Sequence, residues 1–413
     1  MRNWAGSHEY AAARTHRPTT VEQLQELVAG ADRVRALGTR HSFTDVADTP
    51  GDLISTLDLP ATVEVGDTTV RVAAGVRYGD LAVRLHERDR ALATMASLPH
   101  ISVGGAIATG THGSGDRTGS LAAAVAGLEY VGADGELRSI RRDDPEFAGH
   151  VVSLGALGIT THVTLDVEPT YEVRQDLFTD VPWDDADLDA LTGAAYSVSL
   201  FTGWVNGRID QVWLKSRGTE PPALGTPALG TPATTTLHML AGADVAAVTE
   251  QGGVPGPWHE RLPHFRLAFT PSRGEELQSE YLLPRSSATE AVAVLRRLAP
   301  GFAHLLQVSE VRTIAADDLW LSGAYGGDAV GFHFTWVRDR DGVYAALPAI
   351  EDALLPLGAR PHWGKCFLAT ADRLAPAYPR LRDFRDLVGR VDPGGKFGND
   401  FLSRHVGLGP QRP

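Results

Sequence analysis

One cysteine in 413 residues, Cys366, leaves no partner for an internal disulfide, suits a reducing compartment and is expected to serve packing. No stretch approaches the roughly 20 apolar residues that cross a bilayer. The N-terminus has no basic segment leading into an apolar core, so residence in the cytoplasm is the expectation. Positive charge is also scarce. Lys and Arg number 38 against 51 Asp and Glu, a net charge of −13 that sets the average surface against nucleic acid and anionic membranes as partners. Small neutral substrates remain open. With 43% hydrophobic residues the chain can bury a large core in about two domains.

Two further absences concern phosphate binding. No glycine-rich segment carries the Gly-Lys-Ser/Thr of a P-loop, and none has the Gly-x-Gly-x-x-Gly spacing of the dinucleotide fingerprint. The chain instead carries Ala-Leu-Gly-Thr-Arg-His-Ser-Phe at 36–43, where an apolar run turns through a glycine into a histidine loop. Downstream, residues 104–115 read Gly-Gly-Ala-Ile-Ala-Thr-Gly-Thr-His-Gly-Ser-Gly. Glycines and small hydroxylated residues let the main chain approach an anion closely and point N–H groups at it. Together the two segments read as one flavin-binding unit.

Around them the pattern predicts an α+β domain over 1–170. A capping box at 19–24 opens a helix to about 29, followed by a strand at 33–37, strands at 69–74 and 128–132, and a helix at 78–88. Pro169 marks its expected boundary. Strands at 196–204 and 208–215, joined by Asn206-Gly207, open a second domain with an antiparallel sheet. The Pro-Ala-Leu-Gly-Thr-Pro repeats within 221–236 read as a mobile surface loop. In the second domain three expected strands each place two polar residues two positions apart among apolar neighbours: Gln278/Glu280, Glu310/Arg312 and His333/Thr335. Such a row can be the wet face of a sheet or a surface for polyol hydroxyls. If buried, Glu310 and Arg312 must satisfy each other or a ligand.

The chain resembles the vanillyl-alcohol-oxidase type of FAD enzymes, and within it the sugar-alcohol and aldonolactone oxidase branch. The resemblance runs over nearly the whole chain through ordered blocks at 3–6, 38–43, 95–103, 109–115, 153–158, 256–265 and 362–365. It implies an α+β, two-domain flavoprotein: a PCMH-type FAD-binding domain (1–170), a substrate-binding cap with an antiparallel sheet (171–375), and a C-terminal segment (376–413) returning to the FAD domain. It also implies a monomer with FAD bound covalently through His41, a cysteinyl second bond being excluded. Cofactor contacts carried over are Ala36, Leu37, Gly38, Thr39, Arg40, His41, Ser42, Ser97, Ser102, Gly105, Thr109, Gly110, Thr111, His112, Ile159, Thr160 and His362. His112 is expected to order the glycine loop or contact the phosphates.

The same resemblance places Ser97, Glu310, Arg312, Thr335 and Lys365 around a polyol, with Gln278 and His333 nearby. Arg312 and Lys365 would stabilise alkoxide character as hydride leaves the carbon, with Lys365 either a base or an electrostatic fixture. The implied reaction turns the terminal CH2OH of alditols such as xylitol or sorbitol into an aldehyde, with O2 reduced to H2O2. Ala96 falls where the family controls oxygen's approach to the reduced ring. An aldonolactone oxidase or dehydrogenase of the same fold, and a non-catalytic flavin or sugar binder, remain as alternatives.

Overall fold

The computed structural model describes residues 1–219, 230–269 and 275–409. The expected surface loop therefore lies mostly outside the described residues; Thr231–Pro232, at its end, pairs with the strand Glu172–Pro182.

The chain begins with a crossover. Helix Val21–Gly30 is capped by Thr20, whose hydroxyl accepts from the Gln23 N–H, while the Gln23 side chain accepts from the Thr19 N–H at 2.9 Å. The reciprocal pair satisfies orphan donors at the helix start. This helix leads from Arg14–His16 to Val34–Leu37, and both strands flank Asp52–Ser55 in a parallel three-stranded sheet. A second sheet is antiparallel, in the order Val63–Val65, Thr69–Ala73, Ile159–Asp166, Val125–Val131, Leu137–Arg141. Along Ile159–Asp166 buried and half-buried residues alternate, as in a strand with one face on the core.

A nine-stranded antiparallel sheet follows. Its central strands run Ser197–Thr202, Leu306–Ile314, Ala329–Val337, Glu276–Pro284. The first of these ends earlier than the sequence pattern predicts, because Trp204 and Gly207 take left-handed backbone (φ +69° and +72°) and turn the chain. Helices Ala288–Phe302 and Arg340–Leu354 cover one face, where Phe302 meets the edges of Phe334 and Trp336 and Glu351 accepts from the Tyr281 hydroxyl. The opposite face turns to the two N-terminal sheets. The C-terminal segment comes back to them as well: Lys396 donates to Val28 O at 2.7 Å and Asn399 to Asp48 O at 2.9 Å. Cys366 is buried, and burial pushes its thiol up to about 11, in keeping with packing.

Candidate active site

One cavity joins the three sheets. At one end, strand Val34–Leu37 delivers the loop 38–42 against Ser102, at the start of helix Val103–Ala108. A Cβ on Gly38 would lie 2.3 Å from the Ser102 hydroxyl, so any larger residue would push that hydroxyl aside. The Ser102 N–H donates to the Thr39 hydroxyl at 3.1 Å. Arg40 adopts φ +65°, an uncommon region for a residue with a side chain, and its carbonyl accepts from the Trp4 N–H at 2.8 Å. That turn delivers His41, whose ring stacks on Trp4 with centroids 5.2 Å apart.

The buried Nδ1 of His41 has no hydrogen-bond partner among the described residues. Burial, then the nearby His100 and Arg40, pulls the imidazole down to about 4, so the ring is neutral at physiological pH. An unengaged nitrogen on a neutral ring beside a backbone-lined hollow fits the attachment point of a flavin. The hollow is lined by Ala36, Leu37, Gly38, Thr39, Arg40, Ser42, Ser97, Ser102, Gly105, Thr109, Thr111, Thr160 and His362.

Three of the expected cofactor contacts stand apart from the side chains of this hollow. Ile159 is fully buried in a core with Leu24, Val28 and Phe397, because strand alternation turns it away and sends Thr160 inward. Gly110 is not in the lining; its left-handed turn (φ +69°) carries the chain between Thr109 and Thr111, which are. His112 sits at the substrate end, with Nδ1 2.8 Å from Gly113 O and Nε2 3.3 Å from a Glu280 carboxylate oxygen. The reason is the path of the chain, which leaves the cradle there and joins the cap sheet where the Gly115 N–H donates to Thr313 O.

At that end the antiparallel register sets Gln278 opposite Thr335, and Glu280 and Glu310 on either side of His333. All lie on the cavity face with Arg312 and Lys365. The expected Glu310/Arg312 pair is not the principal one, with Arg312 Nε 3.6 Å from Glu310 Oε1. Arg312 instead donates to Glu280 Oε1 at 2.7 Å, and Lys365 donates to Glu280 Oε2 at 2.6 Å. Arg312 reaches Glu280 across the intervening strand, past Gly331, its register neighbour there. Arg312 also donates to the Ser97 hydroxyl at 3.3 Å.

Glu310 meets His264 Nε2 at 2.8 Å and His333 Nδ1 at 3.7 Å. Burial alone would raise both carboxyls. The charges of Lys365 and Arg312 overcome it at Glu280, and Arg312 with His264 overcomes it at Glu310, holding each well below the usual carboxylate range. Burial lowers Lys365 and Arg312 adds to that, while Glu280 opposes it. His362 is held well below the ordinary histidine range by burial and then by Lys365. Its Nδ1 accepts from the Gly364 N–H at 3.1 Å, which leaves the ring proton on Nε2.

Sequence reasoning named Glu280 only as a polar strand residue and missed it as the shared partner of two cations. The alternation with Gln278 was the available signal; strand order was not. His264 was missed too, although it falls inside a block that carries the family resemblance. An apolar wall of Phe201, Met239, Leu240, Phe265 and Val308 lines the cavity beyond the polar row.

Residues 12–141 match the model of the FAD binding domain and residues 270–405 that of D-arabinono-1,4-lactone oxidase. An alditol oxidase from a Streptomyces species is 49% identical, with 97% of each chain covered. The chain belongs to the alditol oxidase family. As a member of that family it is an FAD-dependent oxidoreductase. L-gulono-1,4-lactone dehydrogenase of Mycobacterium tuberculosis is 29% identical over 98% of both chains, and L-gulonolactone oxidase of Bos taurus 25% identical over 98% of this chain and 97% of that one. Among solved structures, cholesterol oxidase from Brevibacterium sterolicum superposes with a TM-score of 0.77 at 15% identity over 99% of this chain and 96% of that one, a likeness of fold. The α+β vanillyl-alcohol-oxidase-type architecture is thus present, with an antiparallel cap sheet above the FAD-binding part. Among the described residues no helix is long and apolar enough to cross a membrane.

Proposed function

We propose that this enzyme oxidises the terminal primary alcohol of open-chain alditols, xylitol and sorbitol among them, to the aldose, with O2 reduced to H2O2. The observation that carries the reading is the row of Gln278, Glu280, Glu310, Arg312, His333 and Thr335 at alternate positions of three adjacent strands, facing the cavity. Successive hydroxyls of an extended polyol match such a row.

Bound at the loop 38–42, FAD would supply the hydride acceptor and the route of electrons to dioxygen. His41 would anchor it covalently and the other lining residues named above would hold it. Ser97, Thr335 and Gln278 donate to and accept from the substrate, and Glu310 accepts. Arg312 stays cationic and stabilises the oxygen as its proton leaves. Lys365, lowered by burial, takes that proton in its amine form and so becomes the second cation that Glu280 holds beside Arg312. His362 presents its Nε2–H to the same cavity, and Ala96 lines it nearby. In this scheme residues 1–170 carry FAD, 171–375 the substrate and 376–413 the return of the chain. The reading extends to a monomer in the cytoplasm, O2 and the polyol being its partners, with Cys366 kept reduced.

A second reading, oxidation of an aldono-1,4-lactone ring, is favoured by the match of residues 270–405 to D-arabinono-1,4-lactone oxidase. Peroxide release across a panel of xylitol, sorbitol and aldono-1,4-lactones separates the two: alditols should be at least about tenfold better in kcat/KM, a gap of about 1.4 kcal/mol. Preference for the lactones would reverse the assignment. Colour that stays with the acid-precipitated wild type but is released from the His41→Ala pellet would support the tether; free flavin from the wild type would refute it.

A further inference from the structure

Lys215 lies on strand Arg208–Arg217, opposite Ser197 on one neighbour and Gln175 on the other, and is 1% exposed. A cation taken so far from water is costly unless every donor is met. Among the described residues it forms no ion pair within 4 Å. Burial pulls its ammonium down to about 7, and below that pH its three N–H groups meet three acceptors, Leu262 O at 2.6 Å, Pro263 O at 3.1 Å and His264 Nδ1 at 3.1 Å.

The third contact reaches the substrate site. A neutral imidazole that accepts at Nδ1 carries its proton on Nε2, and His264 Nε2 is 2.8 Å from Glu310 Oε1. Trp213 and Phe201 hold the ring edge-on, with centroids 5.1 and 5.7 Å away. The backbone N–H of His264 donates to Ser97 O at 3.1 Å. One residue therefore ties together a substrate residue of the cap sheet and one from the FAD-binding part.

We infer that Lys215 and His264 are positioning residues: Lys215 holds the His264 ring by its Nδ1, and His264 then holds Glu310 as an oriented acceptor with Ser97 in register. The substrate readout below rests on the alditol reading; the tautomer does not. Burial, then the Lys215 charge, pulls His264 down to about 4, so the ring is neutral, gripped at Nε2 by the accepting Glu310 and at Nδ1 by Lys215. The remaining charged or titratable groups facing Glu310 are Arg312 and His333, and the Ser199 hydroxyl lies 3.4 Å from His264 Nε2.

In Lys215→Met the ring loses its contact at Nδ1 and can turn away from Glu310, which then loses its donor part of the time. The xylitol KM should therefore rise about tenfold at pH 6, where wild-type Lys215 is charged, with kcat changed less than about threefold. His264→Leu should show the same rise. His264→Gln, which keeps a donor, should stay within about threefold of wild type. A Lys215→Met KM equal to wild type at pH 6 would overturn the inference. Should Lys215→Met not fold, the ring-nitrogen chemical shifts of His264 in wild-type holoenzyme decide: a proton on Nε2 supports the inference, and a proton on Nδ1 sinks it. Failure of every alditol with wild type would remove the functional reading and leave this tautomer test intact.

Discussion

In the proposed scheme the loop 38–42 and the segment 102–111 meet the cofactor mainly with backbone and small side chains, whereas the three strands above meet the substrate with Glu280, Glu310 and Arg312, all at most 4% exposed, with Lys365 beside them. The cradle works by proximity: an added Cβ at Gly38 would press on the Ser102 hydroxyl. The polar row works by mutual neutralisation, in which Glu280 balances two cations and Glu310 is held by a histidine. Damage at the first end should therefore appear as lost cofactor, and damage at the second as lost chemistry or an unpaired buried charge.

The largest effect should come from Lys365→Met, which removes the proposed proton acceptor. A fall of about 10³-fold in alditol kcat/KM, roughly 4 kcal/mol, with flavin content intact is the expected result. Activity within tenfold of wild type would remove Lys365 from the chemistry. Glu280→Gln should destabilise the fold by about 3 kcal/mol in a urea titration, since Arg312 and Lys365 would face a neutral amide. Gly38→Ala should cost about 1–3 kcal/mol by overpacking and lower the flavin-to-protein ratio, which Glu280→Gln should leave nearly unchanged. Equal flavin loss in both variants would erase the contrast between the two ends.

Acid should act on both ends. His41, His264 and His333 are each lowered to about 4, chiefly by burial, from an ordinary value of 6.5. Between those values the unfolded chain binds protons that the native protein refuses, so stability should fall as pH drops from about 6.5 towards 4. Glu280 and Glu310, held below the ordinary carboxylate value of 4.5, add a loss that begins near that pH and continues downward. A melting temperature flat from pH 6.5 to 4.5 would contradict the buried neutral histidines. The smallest effect belongs to Thr20→Ala, about 1 kcal/mol from the lost helix cap, with flavin content and kcat/KM unchanged.

This contrast also explains what could be read from the sequence. Local signals sufficed for the Thr20 cap, the His41 loop and the glycine segment, because each acts through its own backbone. Period-two alternation correctly gathered the polar residues onto one face of the cap strands. It could not name the partner of Arg312, since Glu276–Pro284 comes before both other strands in the chain yet lies beyond Ala329–Val337 in space. That pairing depends on strand order. Lys215 gave no local signal: its partners sit some fifty residues on, at 262–264, in a loop whose path no periodicity encodes. Strand phase turns the Ile159 side chain to the core and Thr160 to the cavity.

The central claim is tested most directly by adding xylitol to the purified holoenzyme without oxygen, following flavin absorbance, and then admitting air. Bleaching on addition, return of the yellow colour with air, and aldose and peroxide in equal amounts are the predicted result. Flavin that stays oxidised with xylitol and sorbitol but bleaches with an aldono-1,4-lactone would contradict the account.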